Sequence, residues 1–215
     1  MKLIYREEHN SGQHNVKVIK AIAFDMGGVI IHFDENKYYE YLSKKYNIEE
    51  NKITSIMIPL INKFDLGEIT LGVLLDSISK NIGIKLPRKS WNYIFDTDAT
   101  IDWQMIELIK KLSKNYKIYM LTNVNRSRYF RTNTMLKINN KLFDKKFISC
   151  YLHMAKPDRK IYQYLIAKTN LMPNEIIFID DLIENVDGAR AIGINSIVFR
   201  GYADLVSKLK SFNIL

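Results

Sequence analysis

Short apolar stretches alternate with amphipathic stretches along most of the chain. The apolar stretches are rich in β-branched residues and span 18–24, 117–121, 147–150, 175–179 and 196–199. Between them, apolar residues recur at helical spacing, as in 103–112, 158–169 and 185–192. Uninterrupted apolar runs such as 176–179 are typical of parallel strands that are buried on both faces of a sheet. The alternation therefore predicts an α/β core with an open, doubly wound parallel sheet.

A helical insert interrupts this alternation after the first predicted strand. It contains amphipathic patterns and no clear strand, with Tyr38, Tyr41, Leu42 and Tyr46 at helical spacing. Open α/β sheets bind ligands beyond the carboxyl ends of their strands, so an insert at this position is placed to cap a site. The predicted organisation is a polar N-terminal arm at 1–15, an α/β core at 16–34 and 99–215, and a helical cap at 35–98.

The charge of the chain narrows the classes of partner. The 215 residues include 32 basic and 23 acidic side chains, and the formal charge of +9 favours anionic ligands. Lysines are spread along the chain, and the sequence has no zinc-finger spacing and no aromatic RNA-binding motif. We therefore expect a solvated, lysine-rich surface that attracts small phosphorylated metabolites, and we do not expect nucleic acid as a partner.

Other features concern the compartment. No apolar run approaches the about 20 residues that cross a bilayer, so a membrane partner is not expected. The single cysteine, Cys150, cannot form an internal disulfide and is expected to be a small buried residue at a strand end. The N-terminal arm lacks the apolar segment of a secretory signal. Together these features predict a cytoplasmic protein.

Three of the predicted strands end in polar residues that can carry chemistry. Asp25 follows the first strand, Thr122 and Asn123 follow the second, and Asp180 and Asp181 follow the fourth. Because the carboxyl ends of parallel strands meet at one edge, these side chains are expected to converge. Clustered carboxylates repel one another unless a cation lies among them, and hard oxygen ligands suit Mg²⁺. An aspartate after a strand is also a common helix N-cap, and Asp181 alone is open to that interpretation.

A lysine and two glycines add to this pattern. Lys156 precedes Pro157 at the entry to a predicted helix, where a lysine can neutralise the charge of a bound anion. The alternative is an exposed lysine in a lysine-rich chain. Gly27 and Gly28 follow Asp25 and allow main-chain N–H groups to approach an anion closely.

Taken together, these motifs resemble those of the haloacid dehalogenase superfamily of hydrolases. The four matching segments, in chain order, are 22–30, 119–123, 156–158, and 177–181 with 185–189. The resemblance extends from about residue 18 to the end of the chain. The chain is similar in particular to a subgroup of this superfamily that has a small helical cap and includes bacterial α-D-glucose-1-phosphate phosphatases.

The resemblance implies a role for each matching residue. Asp25 would be the nucleophile that attacks phosphorus, and Lys156 would hold the nucleophile and the phosphate together. Thr122 and Asn123 would bind the transferring phosphoryl group. The ligands implied for a Mg²⁺ cofactor are Asp25, the Gly27 carbonyl and Asp181, with Asp180 as a further ligand or an outer partner.

Gly27 departs from the superfamily pattern. Phosphatases of the superfamily usually carry a second aspartate there, which acts as general acid and then as general base. Such help is typically worth about 10²–10⁴-fold in rate, and glycine cannot move a proton. His32 and Asp34 are candidate substitutes, although Asp34 also suits capping of the first insert helix.

Three functions remain open at this point. The first is hydrolysis of a small phosphate monoester with a good leaving group, for which sugar phosphates are one candidate class. The second is a 2-haloacid dehalogenase, in which Asp25 attacks carbon without a metal; the Asp180-Asp181 pair argues against it, because it would repel a carboxylate substrate. The third is a non-catalytic binding protein, against which the retained Asp25, Thr122, Lys156 and Asp181 argue. A monomer and a homodimer are equally compatible with the sequence.

Overall fold

Parallel strands form the centre of the molecule. The structure is a computed structural model that describes residues 18–33, 36–88, 99–136 and 142–215, so the predicted arm and Asp34 lie outside the described residues. The strands of the main sheet in this described part are β1 Ala21–Phe24, β4 Lys117–Thr122, β5 Lys145–Ile148, β6 Ile176–Asp180 and β7 Asn195–Val198. Their order in the sheet is β5-β4-β1-β6-β7, and every neighbouring pair is parallel. The predicted α/β fold with a doubly wound parallel sheet is confirmed.

Helices cover both faces of the sheet. The helices of the core are α4 Trp103–Leu112, α5 Arg126–Met135, α6 Ser149–Leu152, α7 Arg159–Thr169, α8 Ile183–Arg190 and α9 Tyr202–Ser211. Alternate residues of β1 point to opposite faces, so Ile22 and Phe24 pack with α4 and α9 in one apolar cluster. Ala21 and Ala23 pack with α7 and α8 in the other cluster. The small alanines leave room for Tyr162, which is fully buried.

The insert contributes helices with an apolar cluster of their own. They are α1 Asn36–Tyr46, α2 Glu50–Asp65 and α3 Leu71–Ile82. Leu42, Ile53, Met57 and Leu74 are fully buried in this cluster, which is separate from the two clusters of the sheet. The helix α3 begins where the Thr70 hydroxyl accepts a hydrogen bond from a main-chain N–H group. The exact division into arm, core and cap stays a prediction.

A short two-stranded antiparallel ribbon lies where the chain leaves the core for the insert and returns from it. Its strands, β2 Ile31–His32 and β3 Thr100–Ile101, pair antiparallel, with His32 opposite Thr100. The Gly28 N–H donates to the Ile31 carbonyl at 2.9 Å, which folds the segment after Asp25 back onto the ribbon. The ribbon is therefore connected directly to the loop that follows β1.

The segment at 147–150 differs from the prediction. The apolar pattern predicts a strand over the whole segment, but β5 ends at Ile148 and α6 begins at Ser149. The Ser149 hydroxyl donates to the Asp65 carbonyl at 2.6 Å, a contact with the insert that the local apolar pattern could not indicate. Cys150 accordingly lies in a helix rather than at a strand end, although it is fully buried as expected. Within the described residues, no helix has the length and apolar character needed to cross a membrane.

Candidate active site

The polar strand ends converge at the carboxyl edge of the sheet. Asp25 lies one residue beyond β1, Thr122 is the last residue of β4, and Asp180 is the last residue of β6. Asp25, Thr122, Asn123, Lys156 and Asp181 line a cavity of about 430 Å³, together with Gly27. A cavity of this size matches a small-molecule ligand. The structure therefore brings together the residues that the sequence singled out.

Lys156 is buried between two carboxylates. Its Nζ lies 2.9 Å from Asp25 Oδ1 and 2.6 Å from Asp180 Oδ2, and only 4% of the residue is exposed. The interpretation of Lys156 as an exposed surface lysine is therefore wrong. Asn123 fixes the main chain there, because its amide donates to the Lys156 carbonyl at 2.8 Å and accepts from the Lys156 N–H at 2.9 Å. Asn123 thus holds the lysine in place.

Burial and charge shift the pKa values of this cluster. Burial raises the pKa of Asp25 to about 6, against the lowering effect of Lys156. Burial alone would lower the pKa of Lys156, but Asp25 and Asp180 overcome it and raise the pKa above its ordinary value. Lys156 is therefore charged at neutral pH, and one cation faces two buried carboxyl groups. This is an environment that can accept a further positive charge.

Asp180 and Asp181 have different surroundings although they are adjacent. Both oxygens of Asp180 accept hydrogen bonds: Oδ1 from the Leu182 N–H at 2.9 Å and the Asn185 amide at 3.0 Å, and Oδ2 from Lys156. Asp181 is half-buried, and its carboxylate lies against Gly28 so closely that a Cβ there would be 2.1 Å from Oδ2. Gly28, with φ of 70°, is thus required by both backbone and space.

Asp181 is not a helix cap. The helix α8 begins at Ile183 with Leu182 as N-cap, and no side chain caps it. Burial and the neighbouring Asp180 charge raise the pKa of Asp181. Ligand oxygens of Asp25, Asp180 and Asp181 all lie within 4.8 Å of one another, which is a hard-oxygen donor set of the kind that Mg²⁺ takes. The residues present therefore fit a divalent cation, with Asp181 as the carboxylate best placed to bind it.

The insert reaches the site through residues that strand-end reasoning did not identify. Asp65, at the end of α2, lines the same cavity and accepts a hydrogen bond from the Asn125 amide at 2.9 Å. Ser149 joins the two parts, because its hydroxyl accepts from the Val124 N–H at 2.8 Å while contacting Asp65. The break in the helical pattern at 64–68 is the signal in the sequence, but it does not indicate which side chain faces the core.

The pKa of Asp25 predicts how stability depends on pH when no divalent cation is bound. A carboxyl with a pKa of about 6 in the folded protein and 3.8 when unfolded binds its proton more tightly in the folded state. The unfolding free energy should therefore fall as the pH rises from about 4 to about 6, and Asp25→Asn should lack this component. Thermal unfolding in EDTA tests it: the Tm of Asp25→Asn relative to the wild type should rise across that window and then level off. A constant difference would contradict the raised pKa.

Comparisons with known proteins agree on one family. A model of haloacid dehalogenase-like hydrolases matches residues 19–193. D-ribitol-5-phosphate phosphatase of Bacteroides thetaiotaomicron is 25% identical over 204 residues, covering 83% of this chain and 91% of that protein. A sesquiterpene phosphatase of Aspergillus oryzae is 27% identical over 177 residues, covering 81% and 87%.

A solved structure has the same fold over nearly its whole length. It is the magnesium complex of a haloacid dehalogenase family enzyme from Bacteroides thetaiotaomicron, with a TM-score of 0.76 and 25% identity. The alignment covers 87% of this chain and 98% of that one. The family model spans most of the chain, including the strand ends that carry Asp25, Thr122 and Asp180. The chain therefore belongs to the haloacid dehalogenase-like hydrolases.

Proposed function

We propose that this protein is a Mg²⁺-dependent phosphatase that hydrolyses a small phosphate monoester through an aspartyl-phosphate on Asp25. The observation that carries the proposal is the buried Lys156 between Asp25 and Asp180, with Asp181 facing the same cavity. Phosphoryl transfer depends mainly on positioning and on neutralising charge, and this cluster is arranged for both. The phosphatase names of the two relatives support the same chemistry.

Each residue of the cavity has a part in the proposed reaction. Asp25 attacks phosphorus, and its Oδ1 is oriented by the Met26 N–H, which donates to it at 2.7 Å. Lys156 keeps Asp25 ionised and balances phosphate charge, while Asn123 holds its main chain. Thr122 is buried at the cavity wall, and in the proposed reaction its hydroxyl donates to a phosphate oxygen.

The metal would be held at the acidic side of the cavity. Asp25, the Gly27 carbonyl and Asp181 are the proposed ligands, and Asp180 acts as an outer partner because its oxygens are engaged by three donors. When bound there, Mg²⁺ supplies the positive charge that phosphate oxygens need beside three carboxylates. Small phosphorylated metabolites, including sugar phosphates, match the size of the cavity.

The two alternative functions have less support. A 2-haloacid dehalogenase would bind a carboxylate substrate beside Asp25, Asp180 and Asp181, and this acidic cluster opposes an anion in the absence of a cation. A non-catalytic binding protein would not require a buried lysine that Asn123 holds beside the nucleophile Asp25.

A pair of assays separates these functions. We expect release of phosphate from p-nitrophenyl phosphate that requires Mg²⁺ and stops with EDTA, and no release of chloride from 2-chloropropionate. Chloride release without a metal would establish the dehalogenase instead. Absence of both activities, together with no Mg²⁺-dependent change in Tm, would overturn the phosphatase proposal.

The different surroundings of the two adjacent aspartates predict different effects on metal binding. Asp181→Asn should reduce the increase in Tm that Mg²⁺ produces, because it removes the negative charge and one carboxylate oxygen, while the metal-free protein stays as stable as the wild type. Asp180→Asn should instead lower the metal-free Tm, because Lys156 loses a buried partner at 2.6 Å. Differential scanning fluorimetry with and without Mg²⁺ measures both. Equal loss of the Mg²⁺ effect in both variants would make Asp180 a direct ligand.

A further inference from the structure

His32 places an imidazole at the candidate active site. It is the second residue of β2 and lines the same cavity of about 430 Å³ as Asp25 and Lys156. Its side chain is 47% exposed, so the imidazole can exchange protons with solvent and with a ligand in the cavity. The two-stranded ribbon fixes the main chain of His32, because His32 pairs with Thr100 on β3.

Asp102 is positioned to support this imidazole. Its Oδ2 lies 3.8 Å from His32 Nε2, a distance of an ion pair rather than a hydrogen bond. Its Oδ1 accepts from the Met105 N–H at 3.0 Å as the N-cap of α4, and its own N–H donates to the Ile30 carbonyl at 2.9 Å. The carboxylate is therefore held at the start of α4, and the main chain of Asp102 is bonded to the residue that precedes β2. A fixed carboxylate beside the ring restricts the orientation of the imidazole and balances its charge whenever it carries a second proton.

Gly27, two residues after Asp25, offers no group that could transfer a proton. Gly27 has no side chain, and a Cβ built on it meets no atom within 4 Å. The space beside Gly27 is therefore open, and Gly27 and His32 line the same cavity. A leaving group that departs from phosphorus needs a proton, and the rate loss without one is about 10²–10⁴-fold for poor leaving groups.

We propose that His32 is the general acid and base of this enzyme, in the role that Gly27 cannot fill. The inference rests on the proposed phosphatase function. As Asp25 attacks, the bond between phosphorus and the leaving oxygen breaks, and the imidazolium proton passes to that oxygen to give an alcohol. Neutral His32 then takes a proton from a water molecule as the oxygen of that water attacks the aspartyl-phosphate. The bond between phosphorus and Asp25 breaks, which releases inorganic phosphate and returns the imidazolium.

Other charged groups also face this cavity and bear on the proton. Lys156 is paired with two carboxylates and has a raised pKa, so it is a poor proton donor. Asp65 is tied to Asn125 at the insert side. The ionisable groups that line the cavity together with His32 are Asp25, Asp65, Arg128, Lys156 and Asp181, and Asp102 lies beside the imidazole at the start of α4.

The test is the dependence of rate on the leaving group. Wild type, His32→Gln and Gly27→Asp/His32→Gln are assayed with p-nitrophenyl phosphate and with a series of alkyl phosphates of rising leaving-group pKa. We expect His32→Gln to lose about 10²–10⁴-fold in kcat/KM on the poor leaving groups and to keep kcat/KM close to wild type on p-nitrophenyl phosphate, whose leaving group needs no proton. Its kcat on p-nitrophenyl phosphate should fall, because the aspartyl-phosphate is then hydrolysed without its base. Gly27→Asp in that background should restore the alkyl phosphates, because the open space accepts the new carboxyl.

Controls keep structural effects apart from proton transfer. Thr100→Val changes the residue opposite His32 in the two-stranded ribbon and keeps the imidazole. The dependence of its rate on the leaving group should equal that of the wild type. Asp102→Asn keeps an N-cap but removes the charge beside the imidazole, and it should lower kcat/KM on the alkyl phosphates more than on p-nitrophenyl phosphate. Equal rates for His32→Gln and wild type over the whole series would overturn the role of His32. An inactive wild type would instead overturn the phosphatase proposal itself.

Discussion

Replacing Asp25 with asparagine should reduce phosphate release by roughly 10⁴-fold or more, because the nucleophile is lost while binding and charge neutralisation remain. The fold should survive, since the side-chain oxygen of the new amide can still accept a hydrogen bond from the Met26 N–H, as Asp25 Oδ1 does at 2.7 Å. Steady-state assays with p-nitrophenyl phosphate and Mg²⁺ measure the loss. Mass spectrometry of acid-quenched wild type should detect a phosphorylated chain that is absent in the variant.

The matched control for this variant is an aspartate outside the site. Asp204 pairs with Lys208 on α9 at 2.7 Å, and both side chains are substantially exposed. Asp204→Asn should retain wild-type rates, and its stability should change by less than about 1 kcal/mol. Undiminished turnover in Asp25→Asn, with the protein folded by circular dichroism, would remove Asp25 from the mechanism.

The sequence predicts the sheet and its reactive edge because both depend on local signals. Buried parallel strands are continuous apolar runs, and a polar residue at the end of such a run marks the edge where ligands bind. The strands that end at Thr122 and Asp180 are predicted to within a few residues for this reason. Lys156 is indicated by the helix entry at Pro157, although its burial between two carboxylates follows only from the fold.

The contacts between the insert and the core could not be predicted from the same signals. Asp65 and Asn125 are 60 residues apart in the chain, and their hydrogen bond depends on how α2 is oriented over the sheet. Amphipathic periodicity specifies which face of a helix is buried, but not against which neighbour it packs. The start of α6 at Ser149 escapes prediction for a related reason, because its hydroxyl bonds to the insert rather than to its own segment.

The two adjacent aspartates illustrate the same limit at the site itself. A pair of carboxylates after a strand predicts a metal or a helix cap, and the sequence offers no means of assigning the two side chains. In the structure Asp180 accepts from Lys156, Leu182 and Asn185, and Asp181 is left facing the cavity. The turn before α8, whose first residue is Ile183, directs the two carboxylates to these different surroundings.

Replacing Lys156 with methionine should cost both activity and stability. The unbranched side chain keeps the packing near the Phe178 ring, whose centroid lies 5.4 Å from Nζ. Loss of the charge leaves Asp25 and Asp180 buried without their common partner, which should destabilise the protein by about 3–5 kcal/mol near neutral pH. Phosphate release should fall by about 10²–10³-fold, because the charge beside the phosphoryl group is gone. Chemical denaturation and steady-state assays measure the two effects.

A second variant separates the structural part of this loss from the catalytic part. Lys156→Met/Asp180→Asn removes one cation and one anion, so much of the stability lost in Lys156→Met should return while the low activity persists. Lys110→Met is the matched surface control, since Lys110 pairs with Glu107 at 2.7 Å where both side chains are exposed, and it should change stability by less than about 1 kcal/mol. Recovery of activity together with stability in the double variant would mean that Lys156 only holds the fold, and that the charge on the phosphoryl group is balanced by other residues.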